Sequence, residues 1–287
     1  MIQDVSIVIP TFNRANFLDR AVNSALAQTV KCEVVVCDHG SSDNTPQLMD
    51  KYVGQLTYIR RATDLGPHFC WLDGVMNATG KYVHINYDDD WIAPNFIEET
   101  LQMFNDDVGW VFTACKVIYE GTRPSLSEDL FIGRFRHGLN RSGAIENYLL
   151  GKGHVISPSC ALFRKQDLLN SLFVGKIPGA RNVYKGVGPD ILSTLMPLLE
   201  YPHVGFVDKP LAFFLAHDSS ITIDAGKDKL KRRAIDRAYT EARKFYFILK
   251  MCRSFDLPGI LLFFRSLFFD LPRRLYNKYH QLRKGKS

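Results

Sequence analysis

The chain lacks the features that would set it in a bilayer or in an oxidising compartment. Among its 287 residues there is no uninterrupted apolar run of the roughly 20 residues that a membrane-crossing helix needs. The most apolar stretch, ILLFFRSLFF at 260–269, is about half that long and is broken by Arg265. The six cysteines, Cys32, Cys37, Cys70, Cys115, Cys160 and Cys252, form no C-x-x-C pair and no regular framework. A chain of this length buries enough apolar surface to need no disulfide staples. No signal-peptide pattern is present, since the first residues run directly into a strand-like segment, and the expectation is a reducing cytosol. Repeats and low-complexity tracts are also missing. What remains is one large α/β domain, or a domain of about 200 residues with an appendage.

Net charge is absent from the body and concentrated at one end. From residue 257 onward there are seven Lys or Arg against one acid, Asp270, a net +6 that equals the charge of the whole chain. Residues 1–256 therefore balance to zero. A neutral body with a basic, aromatic tail points to an anionic partner for the tail.

The remaining pattern is an alternation. Residues 5–10 (VSIVIP) read as a buried strand and 13–27 as a helix; 33–37 as strand, 43–52 as a helix capped by Ser42 or Asp43, and 57–61 as strand. Residues 67–78 read as helix, 81–86 as strand, 94–104 as a helix opening on proline, and 109–117 as strand. Such alternation predicts a mainly parallel sheet flanked by helices, a Rossmann-like α/β fold. Beyond residue 118 it weakens. Residues 120–150 read as loop-rich, 154–163 as strand, 190–199 as helix, 204–214 as one or two strands, and 227–251 as helix.

In an open parallel sheet, ligands sit at the carboxyl ends of the strands, and the polar residues gather there. Thr11, Asn13 and Arg14 follow the first strand, Asp38 to Ser42 the second, and Asp88, Asp89 and Asp90 the fourth. Three adjacent carboxylates repel one another unless a cation neutralises them. A hard divalent ion suits the role, since Mg²⁺ or Mn²⁺ takes one or two carboxylates and completes its shell with water and substrate phosphates. The plainer alternative is a solvated acidic turn capping the next helix. Asp38 has two readings as well: a carboxylate that accepts the N–H of a pyrimidine base, or part of a turn leading into a helix cap.

The runs SIVIPTFNR, VVVCDHGSSDNT, DLG and ATGKYVHINYDDDW followed by Pro94, in this order and spacing, closely resemble the inverting family 2 glycosyltransferases of the GT-A fold. The likeness is strong over about residues 3–115 and looser over 150–222. It implies a nucleotide-diphosphate sugar donor, with a UDP-sugar favoured, a lipid-linked or polysaccharide acceptor, and a place in bacterial O-antigen or capsule synthesis. It implies that Thr11 and Asp38 contact the base, that Arg14 lies near the donor, and that Asp88 and Asp89 approach ribose and metal. Pro10, Asn13 and Gly66 belong to the same donor-side motifs. Asp89, Asp90 and His217 would hold Mn²⁺ or Mg²⁺, and Asp190 in GVGPDILSTL stands where the family's general base usually stands. Trp91, Ser157 and Ser159 would line the acceptor side. The chain departs from the pattern at His39, Tyr87 and Asp64, where the family often has a second acid, an Asp and an Asn. Asp190 also reads as a first-turn helix acid, and His217 as a structural histidine.

The resemblance divides the chain into a catalytic domain at 1–222, with a donor half at 1–117 and an acceptor half at 118–222, and a C-terminal helical extension at 223–287. Residues 260–282 read as an amphipathic helix lying in the inner face of the plasma membrane, so that the enzyme is cytoplasmic and peripheral. Packing against the body or against a second copy in a homo-oligomer is the rival, whereas aromatics this dense do not form a nucleic-acid platform. Two other function classes compete. A nucleotidyltransferase needs a glycine-rich loop after the first strand, and Thr11-Phe12-Asn13-Arg14 contains no glycine. A non-catalytic sugar-nucleotide-binding module would bind metal without turnover.

Overall fold

The computed structural model describes residues 4–120, 127–151, 155–174, 176–178, 190–217, 220 and 228–254. The chain falls into two compact units, Met1–Arg243 and Lys244–Ser287. The first begins with a run of strand–helix units. Strand β1 (Val5–Thr11) is buried along its whole length and β2 (Glu33–Asp38) nearly so, as expected of strands covered on both faces. Helix α1 (Ala15–Leu26) lies between them and buries Leu18, Ala21, Val22 and Ala25, an i, i+3, i+4, i+7 stripe. Next come α2 (Thr45–Met49), continued by a 3₁₀ turn to Tyr52, then β3 (Thr57–Arg60), α3 (Pro67–Asn77) and β4 (Tyr82–Ile85).

β3, β2, β1 and β4 lie side by side in parallel, with Thr11 opposite Asp38 and Asp38 opposite Arg60. This register puts the carboxyl ends of the strands along one edge. Past β4 the chain forms the short β5 (Trp91–Ile92), α4 (Phe96–Leu101) and the long β6 (Val108–Tyr119).

The second half departs from the sequence reading in its details. Residues 127–151, expected to be loop-rich, hold β7 (Ser127–Leu130), β8 (Gly138–Arg141) and helix α5 (Ser142–Leu150). The strand expected over 154–163 is confined to β9 (Ala161–Arg164), because Pro158 opens a 3₁₀ turn through Cys160; His154 lies outside the described residues. β9 runs antiparallel between β4 and β6 and joins the two halves of the sheet. Helix α6 (Lys165–Ser171) follows it, and α7 (Ile191–Leu195) continues as a 3₁₀ turn to Leu199.

β10 (His203–Ala216) is a single strand parallel to β6, with register shifts around Pro210, which has no N–H to give to the ladder. It also pairs antiparallel with β5 and β8. Trp110, Phe112, Phe163 and Phe206 are fully buried around this junction. Helix α8 (Lys229–Ser254) closes the described chain, and the boundary between the two compact units falls inside it. All six cysteines are free thiols. No helix among the described residues is long and apolar enough to cross a membrane. The basic segment at 257–287 lies outside the described residues.

Candidate active site

Four loops meet at the carboxyl edge of the sheet. Thr11, the last residue of β1, donates its hydroxyl to Asp88 Oδ2 at 2.9 Å. Arg14 occupies the N-terminal boundary of α1, where its carbonyl accepts the first helical amides. From there its Nη1 reaches Asp89 Oδ2 at 2.6 Å and Asp88 Oδ1 at 3.9 Å. His217, just past β10, brings Nε2 to the same Asp89 Oδ2 at 3.1 Å, and its ring stacks on Phe17 of α1 at 4.4 Å. Residues more than 200 positions apart thus converge on one carboxylate.

The loops after β1 and β2 are tied together through Asn13, which takes the left-handed backbone region at φ 54°. Its amide donates to Ser41 Oγ at 2.8 Å and its Oδ1 accepts from the Ser42 amide at 2.7 Å. Asp43 accepts from the amides of Thr45 and Ala15, so one carboxylate serves the start of α2 and of α1. The cap position of α2 is nonetheless Asn44, one residue past Asp43 and two past Ser42, because the helix starts at Thr45 and later than the sequence suggested. Gly66 has φ 95° at the entrance to α3, a conformation that suits glycine, and its amide donates to Asp64 Oδ1. Pro10 is buried in β1 opposite Cys37.

The acids after β4 differ among themselves. Asp88 is buried, and that burial, followed by the charge of Asp89, pushes its carboxyl up to about 7 against the opposing pull of Arg14 and Thr11. Asp90 is pushed well above the usual carboxylate range for the same two reasons. Its Oδ1 accepts from the Leu215 amide of β10 at 3.2 Å, so it meets the sheet backbone while Asp89 meets Arg14 and His217. Asp38 is fully buried with both oxygens engaged, Oδ1 by the Ser41 amide at 2.8 Å and Oδ2 by the Tyr58 hydroxyl at 2.6 Å.

Among the described residues no group of three or more His, Cys, Asp and Glu side chains is arranged to hold a metal ion. The donors that do converge are the Asp89 carboxylate and His217 Nε2, beside Asp88. This set fits a divalent cation of the Mg²⁺ or Mn²⁺ type, which needs few protein donors when phosphate oxygens supply the rest. It also fits on charge, since the Arg14 guanidinium is shared between the Asp88 and Asp89 carboxylates.

The acceptor-side candidates lie apart from this cluster in kind. Ser159 is fully buried and its hydroxyl accepts from the Tyr87 amide at 3.3 Å; Ser157 caps the 3₁₀ turn by accepting from the Ser159 amide. The Trp91 ring has the Arg20 guanidinium 3.8 Å from its centre and stacks on Phe213. Trp71 is buried against Tyr87 and His68. Asp190 is buried at the entrance to α7, where its carbonyl accepts from the Ser193 amide and its Oδ2 from the Tyr239 hydroxyl at 3.2 Å. Arg20, Tyr58, Phe17 and Tyr239 were not singled out from the sequence. Arg20 donates to the Asp89 carbonyl at 3.0 Å, and like the other three it belongs to no local motif.

Residues 6–170 match the sequence profile described as glycosyl transferase family 2. A β-1,3-glucosyltransferase of Campylobacter jejuni acting on GalNAc(5)-diNAcBac-PP-undecaprenol is 30% identical over 178 residues, 59% of this chain and 54% of that one. Other curated relatives are matched over about a third of their length. S. aureus TarS in complex with UDP-GlcNAc shares the fold with a TM-score of 0.58 at 16% identity, over 94% of this chain and 77% of that one. A mannosyltransferase of Pyrobaculum calidifontis in complex with GDP-Man and Mn²⁺ is similar with a TM-score of 0.50 at 16% identity, over 97% and 84% of the two chains.

Proposed function

The chain belongs to glycosyl transferase family 2, and from that membership we propose that it moves one sugar, with inversion, from a nucleotide-diphosphate donor to a hydroxyl of a lipid-linked or polysaccharide acceptor. The observation that carries the reading is the convergence of Thr11, Arg14, Asp88, Asp89 and His217 at the carboxyl edge of a parallel sheet. That edge is where an α/β fold binds nucleotides. The Campylobacter relative is named for an undecaprenol-linked acceptor, and TarS and the Pyrobaculum enzyme bind UDP-GlcNAc and GDP-Man, which supports a nucleotide-sugar donor and a lipid-linked acceptor here.

In this reading Asp89 and His217 hold a Mn²⁺ or Mg²⁺ ion. The ion supplies charge stabilisation for the departing diphosphate. Arg14 adds a second positive group at the same place, and Thr11 fixes Asp88 beside it. Asp38, aligned by Ser41 and Tyr58, borders the nucleobase, with a UDP-sugar favoured. Asp190 takes the proton of the acceptor hydroxyl as it attacks the anomeric carbon, a contribution of about 10²- to 10⁴-fold. Trp91 and Ser157 border the acceptor. The basic segment at 257–287 holds the enzyme on the anionic inner face of the plasma membrane, and the setting is the synthesis of a bacterial envelope glycan.

A thermal-shift panel of UDP, GDP, dTDP and CDP with Mn²⁺ tests the donor assignment. The matching nucleotide at 100 times its dissociation constant adds about 2.7 kcal/mol, and UDP is expected to lead. Stabilisation by none of the four sinks the proposal. Release of a nucleoside diphosphate on turnover fits a glycosyltransferase, and release of pyrophosphate makes the chain a nucleotidyltransferase instead.

A further inference from the structure

The matched family profile runs to residue 170, and a side chain from α8, far beyond it, reaches Asp190. Tyr239 sits on the inward stripe of α8, where Ala238 and Ala242 are fully buried while Arg232, Arg233, Asp236 and Arg237 on other faces are exposed. One turn on, Arg243 holds its guanidinium 5.6 Å from the centre of the Tyr239 ring and donates from Nε to the Leu149 carbonyl of α5 at 2.8 Å. That second contact ties this part of α8 to the body of the first unit. Burial and the neighbouring Asp190 charge push the Tyr239 hydroxyl far above its ordinary value, so it stays a donor throughout the working pH range.

From this arrangement we propose that Tyr239 is a positioning residue, whose hydroxyl, delivered by α8, holds Asp190 Oδ2 and so sets the plane and the ionisation of the carboxylate for the acceptor. The inference rests on the reading of Asp190 as the general base. A proton acceptor is effective only when its oxygen is fixed within hydrogen-bond reach of the reacting hydroxyl. A hydrogen bond donated to the ionised form also favours that form and opposes the effect of burial. Among the described residues, the groups that sense the Asp190 charge include Tyr239 and Arg243 from α8 and Tyr87 from the loop after β4, whose own hydroxyl is pushed up by burial and then by that charge. Of these, Tyr239 is seen bonded to the carboxylate. The C-terminal helix thereby belongs to the catalytic apparatus and is more than an appendage.

The test uses the full chain with Tyr239→Phe, which keeps the ring and removes the donor. The Asp190 carboxyl is titrated by infrared difference spectroscopy, with Asp190→Asn identifying its band, so that no substrate is needed. Tyr239→Phe is expected to raise the midpoint of that band. In turnover, followed as nucleoside diphosphate release from UDP-glucose, UDP-GlcNAc and GDP-mannose, it is expected to lower kcat about tenfold at neutral pH. Its acid limb moves to higher pH and KM for the donor stays unchanged. Tyr239→Ala is expected to do the same with a further loss of stability. An Asp190 band that titrates identically in wild type and Tyr239→Phe overturns the inference. Undiminished turnover in Asp190→Asn overturns the reading of the base beneath it, whatever the band does.

Discussion

Asp89 is met by Arg14, which follows the first strand, and by His217, which follows the last, whereas Asp190 is met by a tyrosine from a helix that follows the sheet altogether. The first centre grows out of strand order. In a parallel sheet each strand brings its carboxyl end to the same edge, so Thr11, Asp38, Arg60 and the acids after β4 become neighbours once the strands pair. The second centre depends on a helix docking onto the finished body. Among the described residues, carboxylates crowd in the first, whereas in the second the Asp190 carboxylate accepts from the Tyr239 hydroxyl. In the proposed function the two centres have different work, leaving-group stabilisation at one and proton removal at the other.

The sharpest way to break that division is at Asp190. Asp190→Asn is expected to lower kcat by about 10²- to 10⁴-fold while the affinity for nucleoside diphosphate, measured by calorimetry, stays at the wild-type value. Asp89→Ala is expected to cost about 10²- to 10³-fold in turnover and, unlike the first variant, to abolish the Mn²⁺ dependence of nucleotide binding. Equal loss of nucleotide affinity in both variants would merge the two centres into one.

The difference in assembly also explains what could be read from the sequence. β1 and β2 are rich in β-branched residues because both faces are buried, and the polar residues that end them, Thr11 and Asp38, mark the edge directly. The acids after β4, Arg14 and the alternation of elements were legible for the same reason. β9 was misjudged in extent because four residues after a proline-opened turn carry too little pattern, and its antiparallel insertion leaves no local mark. Nothing around Tyr239 or Arg20 distinguishes it from any other residue on an amphipathic helix. Their partners at Asp190 and Asp89 are 49 and 69 positions away, and only tertiary packing brings them together.

Smaller effects sharpen the account of the donor side. Asn13 joins the loops after β1 and β2 through three hydrogen bonds, one to Ser41 and two from Ser42, and adopts a left-handed backbone. Asn13→Ala removes the side-chain acceptor and puts a less tolerant residue at positive φ. It is expected to destabilise the fold by about 1–2 kcal/mol in urea denaturation. Asn13→Gly relieves the backbone part only and should fall between. Destabilisation of the same size at both would remove the backbone from the explanation.

The smallest effect concerns pH. Arg61 holds Asp73 through two charge-assisted hydrogen bonds, at 2.5 and 2.6 Å, and keeps its carboxyl below the ordinary range. A depressed carboxyl stabilises the fold above its unfolded-state value of about 3.9, and the contribution disappears as pH falls through the lower folded value. Arg61→Leu should therefore move the acid-unfolding midpoint slightly upward and leave stability at neutral pH little affected in its pH dependence. An unchanged midpoint would mean that the half-exposed guanidinium is screened by water.

The central claim is tested most directly by a crystal structure with Mn²⁺ and the nucleoside diphosphate that the thermal-shift panel ranks first. The account predicts an anomalous manganese peak between the Asp89 carboxylate and the diphosphate, with His217 beside it and the base next to Asp38. A nucleotide bound elsewhere, or an Asp89 side chain still paired to Arg14 with no metal near it, would contradict it.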